Sequence, residues 1–405
     1  MKKFSPFLMI AALFLASLNL RPAINSVSPL LQAIRQELGM SAFAASLLTS
    51  IPVLCMGVFS PLAVRWGRRK GIERVIGWSL AVIGIGNALR IFANSTWSLL
   101  LTSFIAGVGI AVIGPLLSGF IKQRFPANVP AMISVYTIAL ALGATLASGL
   151  SVPLQARFHS WQIALAVWAV LAVLALPLWR LSVARKAERP DAAAKAASGA
   201  SAKLPWRNRK AWLLTLSFGL LGMLFYSVTA WLPPIVQSMG YSKQYAGTVL
   251  TVFSVTQIPV GLALPALLRR YPSRLFWLLL GSVLMLAGFV MTALSVLPLI
   301  SAVLIGLGPG VLFPLNLMLP FDEAADAQQA AAWSAMTQSA GYIVSALGPI
   351  VLGRLHDAMG GSFLPVIAGM IAINVLMMAV QLAIVKGTVT VKPVKHRSNG
   401  KIVAN

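Results

Sequence analysis

Apolar residues run along this chain in long unbroken stretches, without the alternation of a half-buried strand or the narrow stripe of a surface helix. Stretches of spanning length lie at 6–36, 42–64, 72–93, 97–121, 128–154, 161–179, 212–238, 244–268, 274–293, 296–320, 328–354 and 361–385. Crossing a hydrocarbon core as an α-helix takes about 20 residues, whereas a barrel strand takes about ten with a period of two. The pattern predicts an all-α integral membrane protein with twelve transmembrane helices, numbered spans 1 to 12. The start, Lys2-Lys3 followed by apolar residues to Leu20, also has the look of a secretory signal. No clear A-x-A site follows, and the run resumes past Arg21-Pro22 to Ile34, so it is read as the first span.

Composition narrows this further. Of 405 residues, 58% are hydrophobic and only 10% charged, against roughly 25% charged in soluble domains, and no large soluble domain fits between the spans. A net charge of +24 raises nucleic acid as a partner, but the basic residues sit in short connections and not on a soluble face. Counted by connection with the N-terminus inside, 26 Lys and Arg fall inside and four outside (Arg35, Arg157, Lys243 and Arg354), leaving Arg21 and Arg90 within spans. Basic residues collect on the cytoplasmic side of spanning helices, beside an anionic leaflet. Both termini are therefore expected in the cytoplasm, with the lipid bilayer as surroundings and no nucleic-acid surface required. Cys55 is the single cysteine, lies within an apolar run and carries no disulfide signal.

The Ala-, Lys-, Arg- and Ser-rich segment Ser182–Trp206 separates six spans from six and reads as a flexible linker on the cytoplasmic side. The expected organisation is an N-terminal half at 1–181, a linker at 182–210, a C-terminal half at 211–386 and a cytoplasmic tail at 387–405. The halves echo each other. Gly107, Gly109 and Pro115 recur as Gly306, Gly308 and Pro314 at an offset of 199. Ser134 and Thr137 recur as Ser334 and Thr337 at 200, and Gly39-x-Ser41 recurs as Gly240-x-Ser242 at 201. A near-constant offset of half the chain predicts a parallel duplication into two pseudo-symmetric six-helix halves. Such folds hold solute near the midplane between the halves and alternate access by rocking one against the other.

The stretch Ser60-Pro61-Leu62-Ala63-Val64-Arg65-Trp66-Gly67-Arg68-Arg69 resembles the loop 2–3 signature of the major facilitator superfamily, G-x-L-a-D-r-x-G-r-k, matching at Leu62, Arg65, Gly67, Arg68 and Arg69. Ser60 stands for Gly and Val64 for Asp. The resemblance implies a gating role for Arg65, Gly67, Arg68 and Arg69, with the charge-paired latch weakened by the missing Asp. Within the superfamily, Leu20-Arg21-Pro22 with Pro29-Leu30-Leu31, Trp231-Leu232-Pro233, and Gln338-Ser339-x-Gly341-Tyr342 through Gly348-Pro349 to His356-Asp357 are similar to the cyanate and 2-nitroimidazole transporter group. What this implies is a functional monomer in the bacterial inner membrane that moves a small anion or small heteroaromatic solute and has no cofactor.

Arg21 lies about fifteen residues into span 1, or about 22 Å along a helix rising 1.5 Å per residue. A centred arginine costs about 2.5–3.5 kcal/mol to insert, so it should meet a polar cavity or a carbonyl. Two roles are open: binding solute, or capping carbonyls freed by Pro22. Asn25, one turn on, lies near the same face. Arg90, near the outer end of span 3, is expected to snorkel to the headgroups. Tyr226 and Trp231 in span 7, Asn316 in span 10, and Gln338 and Tyr342 in span 11 are polar or amphipathic groups deep in helices that line the central cavity in the superfamily. Either solute contact or inter-helix hydrogen bonding suits them. Gln257 is a weaker candidate of the same kind, and Gly107 and Gly109 read as close-packing positions.

The eight acidic residues, Glu37, Glu73, Glu188, Asp191, Asp322, Glu323, Asp326 and Asp357, fall in connections or at span ends, and His159, His356 and His396 lie outside span centres. No acidic or histidine proton relay is evident. A proton-coupled multidrug exporter, the alternative within the superfamily, would lack its usual membrane carboxylate. An enzyme would need a nucleophile with a base or a metal constellation, and the spans carry neither. A positive cavity remains, suited to an anion or an electron-rich ring.

Overall fold

Prolines, stop glycines and capping serines determine where these helices begin, break and end. The computed structural model describes residues 6–183, 204–323 and 327–386, so the middle of the expected linker and the 387–405 tail lie outside the described residues. The elements found there are all helical. Twelve segments are long and apolar enough to cross a membrane: Phe7–Leu38, Ala42–Gly67, Ile72–Phe92, Thr96–Arg124, Ala131–Phe158, Trp161–Ser182, Arg209–Ser238, Lys243–Arg270, Arg274–Ala293, Pro298–Asp322, Ala332–Ala358 and Leu364–Ile384. They are spans 1 to 12, in the order read from the apolar runs. The ends of the 182–210 segment are helical, because one helix runs through Val183 and the next starts at Arg209.

The duplication has a physical counterpart at each repeated position. Gly39 (φ 61°) ends span 1 and Gly240 (φ 93°) follows span 7, both in backbone that favours glycine. Ser41 and Ser242 then open spans 2 and 8, each Oγ accepting the backbone N–H three residues on, from Ala44 and Tyr245. A Cβ at Gly107 would lie 2.7 Å from Pro52 Cα on span 2, and one at Gly306 would lie 2.6 Å from the Phe253 carbonyl oxygen on span 8. The next pair faces spans 3 and 9: a Cβ at Gly109 would lie 2.8 Å from the Ser79 carbonyl oxygen, and one at Gly308 2.9 Å from that of Gly281. These glycines are where spans 4 and 10 close onto their neighbours, since small residues let membrane helices approach backbone to backbone. Ion pairs reinforce the same relation with reversed polarity. Glu73 accepts from Arg124 at 2.6 Å between spans 3 and 4, and Asp322 accepts from Arg274 at 3.1 Å between spans 10 and 9.

Span 1 is the exception to regular helix. It consists of helix Pro6–Leu18, a turn, the short helix Pro22–Asn25, a 3-10 turn Ser28–Leu30 and helix Leu31–Leu38. Pro22 and Pro29 lack the N–H that would bond four residues back, and their rings crowd that carbonyl. The Asn19 side chain stabilises the break by donating to the carbonyls of Leu15 (2.7 Å) and Leu171 (3.2 Å). Gly143 on span 5 lies against it, and a Cβ there would come within 2.5 Å of the Leu18 carbonyl oxygen.

Two readings are corrected here. Arg90 does not reach the headgroups: it has 0% exposure and its Nη2 donates to the Ala23 carbonyl at 2.8 Å. The carbonyl freed by the break in span 1 is thus taken by the arginine of span 3, which satisfies a backbone group that lipid could not. The signature stretch is also not a loop. Helix Ala42–Lys70 runs through it, and Gly71 alone (φ 89°) joins it to the next helix.

Candidate functional site

The break in span 1 presents Arg21 at the meeting of the two sets of six spans. Its guanidinium carbon lies 5.1 Å from the ring centroid of Phe225 on span 7, a cation–π contact worth about 0.5–2 kcal/mol. Phe225 is held edge-to-face by Tyr226 at 5.1 Å and by Phe313 of span 10 at 5.2 Å. Phe218, one helical face along, packs edge-on to Tyr342 at 5.3 Å and to Phe313 at 6.1 Å. Three tyrosine hydroxyls, of Tyr136 on span 5, Tyr226 on span 7 and Tyr342 on span 11, feel the Arg21 charge. Tyr226 also reaches across to span 2, its hydroxyl 3.9 Å from Met56 Sδ. Among the described residues no carboxylate forms an ion pair with Arg21. The site therefore places a cation over an aromatic floor with phenolic hydroxyls nearby, a set of groups suited to an acceptor.

The expected site residues divide by partner. Asn25 is buried, its backbone N–H bonded to the Arg21 carbonyl, and both side-chain amide atoms lack a protein partner. Buried polar groups are nearly always satisfied, so these atoms are free for water or solute. Gln338 is exposed, one turn from Tyr342 on the same face of span 11. Asn316 is used up elsewhere: Oδ1 accepts from Ser217 at 2.7 Å and Nδ2 donates to Leu312 at 2.9 Å, tying span 10 to span 7. Trp231 has 0% exposure and stacks on His356 at 5.8 Å while donating to the Pro349 carbonyl at 3.3 Å. It anchors the end of span 11 to span 7. Gln257 donates to the Phe253 carbonyl within its own helix at 3.0 Å. Of the gating residues, Gly67 is buried against Leu116, while Arg65 and Arg69 are exposed.

Phe218, Phe225, Phe313 and Tyr136 were not legible as site residues. Each sits in an apolar run where an aromatic ring signals core, lipid or cavity equally. For Tyr136 the only available cue was its hydroxyl deep within span 5.

Among the described residues, several contacts join the two sets of spans toward the end bearing Ser41 and Asp357. Asp357 accepts from the backbone of Ala42 and Phe43, Ser28 donates to the Ala230 carbonyl at 2.9 Å, and Gly149 packs against Thr251. Nearer the middle, Ser339 donates to the Gly57 carbonyl at 2.6 Å.

Twelve spans in two repeated sets, meeting around the half-buried Arg21, have the architecture of a membrane carrier. A family model of the Major Facilitator Superfamily matches residues 10–349, and the chain belongs to that superfamily. It is 36% identical to the uncharacterised transporter YycB of Bacillus subtilis (strain 168), over 93% of each chain. It is 34% identical to the cyanate transport protein CynX of Escherichia coli (strain K12), over 87% of this chain and 91% of that one. It is 31% identical to the 2-nitroimidazole transporter of the same bacterium, over 92% and 93%. The nucleoside transporter NupG has the same fold, with a TM-score of 0.75 and 12% identity over 94% of this chain and 98% of that one. The chain is thus a multi-pass membrane transporter and not an enzyme.

Proposed function

We propose that this protein is a secondary transporter that moves a small anion or small heteroaromatic solute, cyanate-like or 2-nitroimidazole-like, across the bacterial inner membrane by alternating access. The observation that carries the reading is the Arg21 guanidinium over Phe225, within electrostatic reach of Tyr226, Tyr342 and Tyr136 and, among the described residues, without a carboxylate partner. A solute with a lone-pair-rich terminus would accept from the guanidinium and the phenols, and a planar ring would lie on the aromatic floor. Asn25 and Gln338 complete the pocket. The relatives' solutes, cyanate and 2-nitroimidazole, are both small and rich in acceptors.

With both termini in the cytoplasm, as the basic-residue asymmetry supports, the Asp357 end faces outward. The transporter acts as a monomer, since one chain supplies both halves. Thermal stabilisation of the purified protein by cyanate, nitrite, small carboxylates and nitroimidazoles tests the binding step, because a ligand of the native state raises stability by RT ln(1 + [L]/Kd). Stabilisation by at least one of these and trans-stimulated counterflow in proteoliposomes are expected. Stabilisation only by large hydrophobic cations would replace the reading with a drug exporter.

A further inference from the structure

A helix leaves its first backbone N–H groups without an internal partner. In the span 2 helix Ala42–Lys70 these are divided between near and far acceptors. Ser41 Oγ takes the N–H of Ala44, and the Ser41 carbonyl takes that of Ala45. The N–H groups of Ala42 and Phe43 donate to the two carboxylate oxygens of Asp357, at 2.9 and 2.8 Å, from the end of span 11 in the other half of the chain. The carboxylate also meets the positive end of the helix dipole, and Arg35 is close enough to feel its charge.

The surrounding residues make this a fitted joint. A Cβ at Gly353 would lie 2.8 Å from the Ala42 carbonyl oxygen, so glycine there lets spans 2 and 11 touch. At the next position, one turn before Asp357, the Arg354 guanidinium lies 5.6 Å from the Phe43 ring centroid. His356 fixes the joint to the C-terminal half, stacked on Trp231 and packed on Phe363 at 4.5 Å. The duplication supplies a control. Span 8 begins with the same serine cap as span 2, at Ser242, but the position 200 residues before Asp357 is Arg157, which cannot accept a hydrogen bond. A span of this fold can therefore start without a cross-half carboxylate, and the Asp357 contact is an addition beyond what helix formation requires.

We propose that Asp357 is a gating residue: its cap on span 2 holds this end of the transporter shut and must be released before Arg21 becomes reachable from that end. Opening transfers two N–H groups and a carboxylate to water. Asp357 keeps a third of its side chain exposed, so water is already at hand. The contact is strong enough to bias the closed state and reversible enough to cycle. The inference requires only that the two halves move, and it stands whatever the solute is.

The test uses full-length protein carrying Cys55→Ser, with spin labels at Gln36→Cys and Ser362→Cys. Both positions are exposed at this end, one in each half. Double electron–electron resonance reads the population in which the end has opened. Asp357→Ala should raise the open-to-closed ratio about tenfold, the scale of one lost charge-assisted contact, and Asp357→Asn, which keeps one acceptor, by less. Ala42→Pro removes one of the two donors while proline remains favourable at a first helical position, so it should shift the ratio in the same direction by less than Asp357→Ala. The double variant should do no more than Asp357→Ala alone. An unchanged distance distribution in folded Asp357→Ala or Ala42→Pro protein overturns the proposal. So does a lowered melting temperature with no change in distances, which is what a purely structural cap would give.

Discussion

Two arginines lie within the apolar segments, and their surroundings assign them opposite tasks. Arg90 is sealed in, with one nitrogen on the Ala23 carbonyl, whereas Arg21 keeps its charge facing an aromatic floor and three phenols. Substitution should separate them. Arg90→Ala leaves a cavity and an unpaired carbonyl, and should cost about 2–4 kcal/mol of stability while the folded fraction keeps its solute affinity. Arg21→Ala should weaken affinity by about tenfold or more with a smaller loss of ligand-free melting temperature, and Arg21→Lys should fall between, since lysine keeps the charge and loses the planar fork. Normal affinity in Arg21→Ala would remove it from the site. Tyr136→Phe deletes one hydroxyl and should weaken affinity roughly fivefold, the scale of a single hydrogen bond. Isothermal titration with the solute that best stabilises the wild type reads all four.

At the scale of elements, the site depends on a helix that is not continuous. Pro22 breaks span 1, Asn19 ties the turn to Leu15 and to Leu171 of span 6, and Gly143 of span 5 gives the break room. Gly143→Ala would place a methyl 2.5 Å from the Leu18 carbonyl oxygen. Backbone must yield there, because no flexible side chain can move aside, and the expected cost is about 1–3 kcal/mol with a displaced Arg21. A melting curve and a binding isotherm on Gly143→Ala check this. Full affinity at wild-type stability would show that span 5 does not set the position of the break. The glycines of spans 4 and 10 obey the same rule in duplicate, each seated against the equivalent neighbour of its own half.

For the whole molecule, Asp357 joins the two halves at one end, while the opposite end carries a signature stretch that lacks its acidic residue at Val64. Val64→Asp should therefore favour closure of that opposite end, since a new contact shifts a two-state equilibrium through its differential strength in the two states. Spin-label distances across that end should shorten, and an unchanged distribution would count against it. Orientation has its own check. In a Cys55→Ser background, Ser198→Cys should react with an impermeant maleimide only from the cytoplasmic side and Lys243→Cys only from the outer side. Labelling of both from one side would refute the assignment.

The sequence determined the number and order of the spans and the duplication at 199–201, because a backbone in lipid satisfies its polar groups as helix or not at all. A continuous apolar run of this length thus has one outcome wherever it lies in the chain. Stop glycines, capping serines and Pro22 act within a turn or two, so the ends of span 1 and its break were legible as well. The burial of Arg90 was not, since its partner is a carbonyl 67 residues away that becomes free only when span 1 breaks. A still longer separation, 315 residues between Ala42 and Asp357, hid the cap on span 2. In a helix bundle surrounded by lipid, apolarity no longer distinguishes inside from outside. Whether an aromatic ring meets lipid, core or cavity is then decided by which helix packs beside it. That is why Trp231 and Asn316 became anchors between helices while Phe225 and Tyr136 came to surround Arg21.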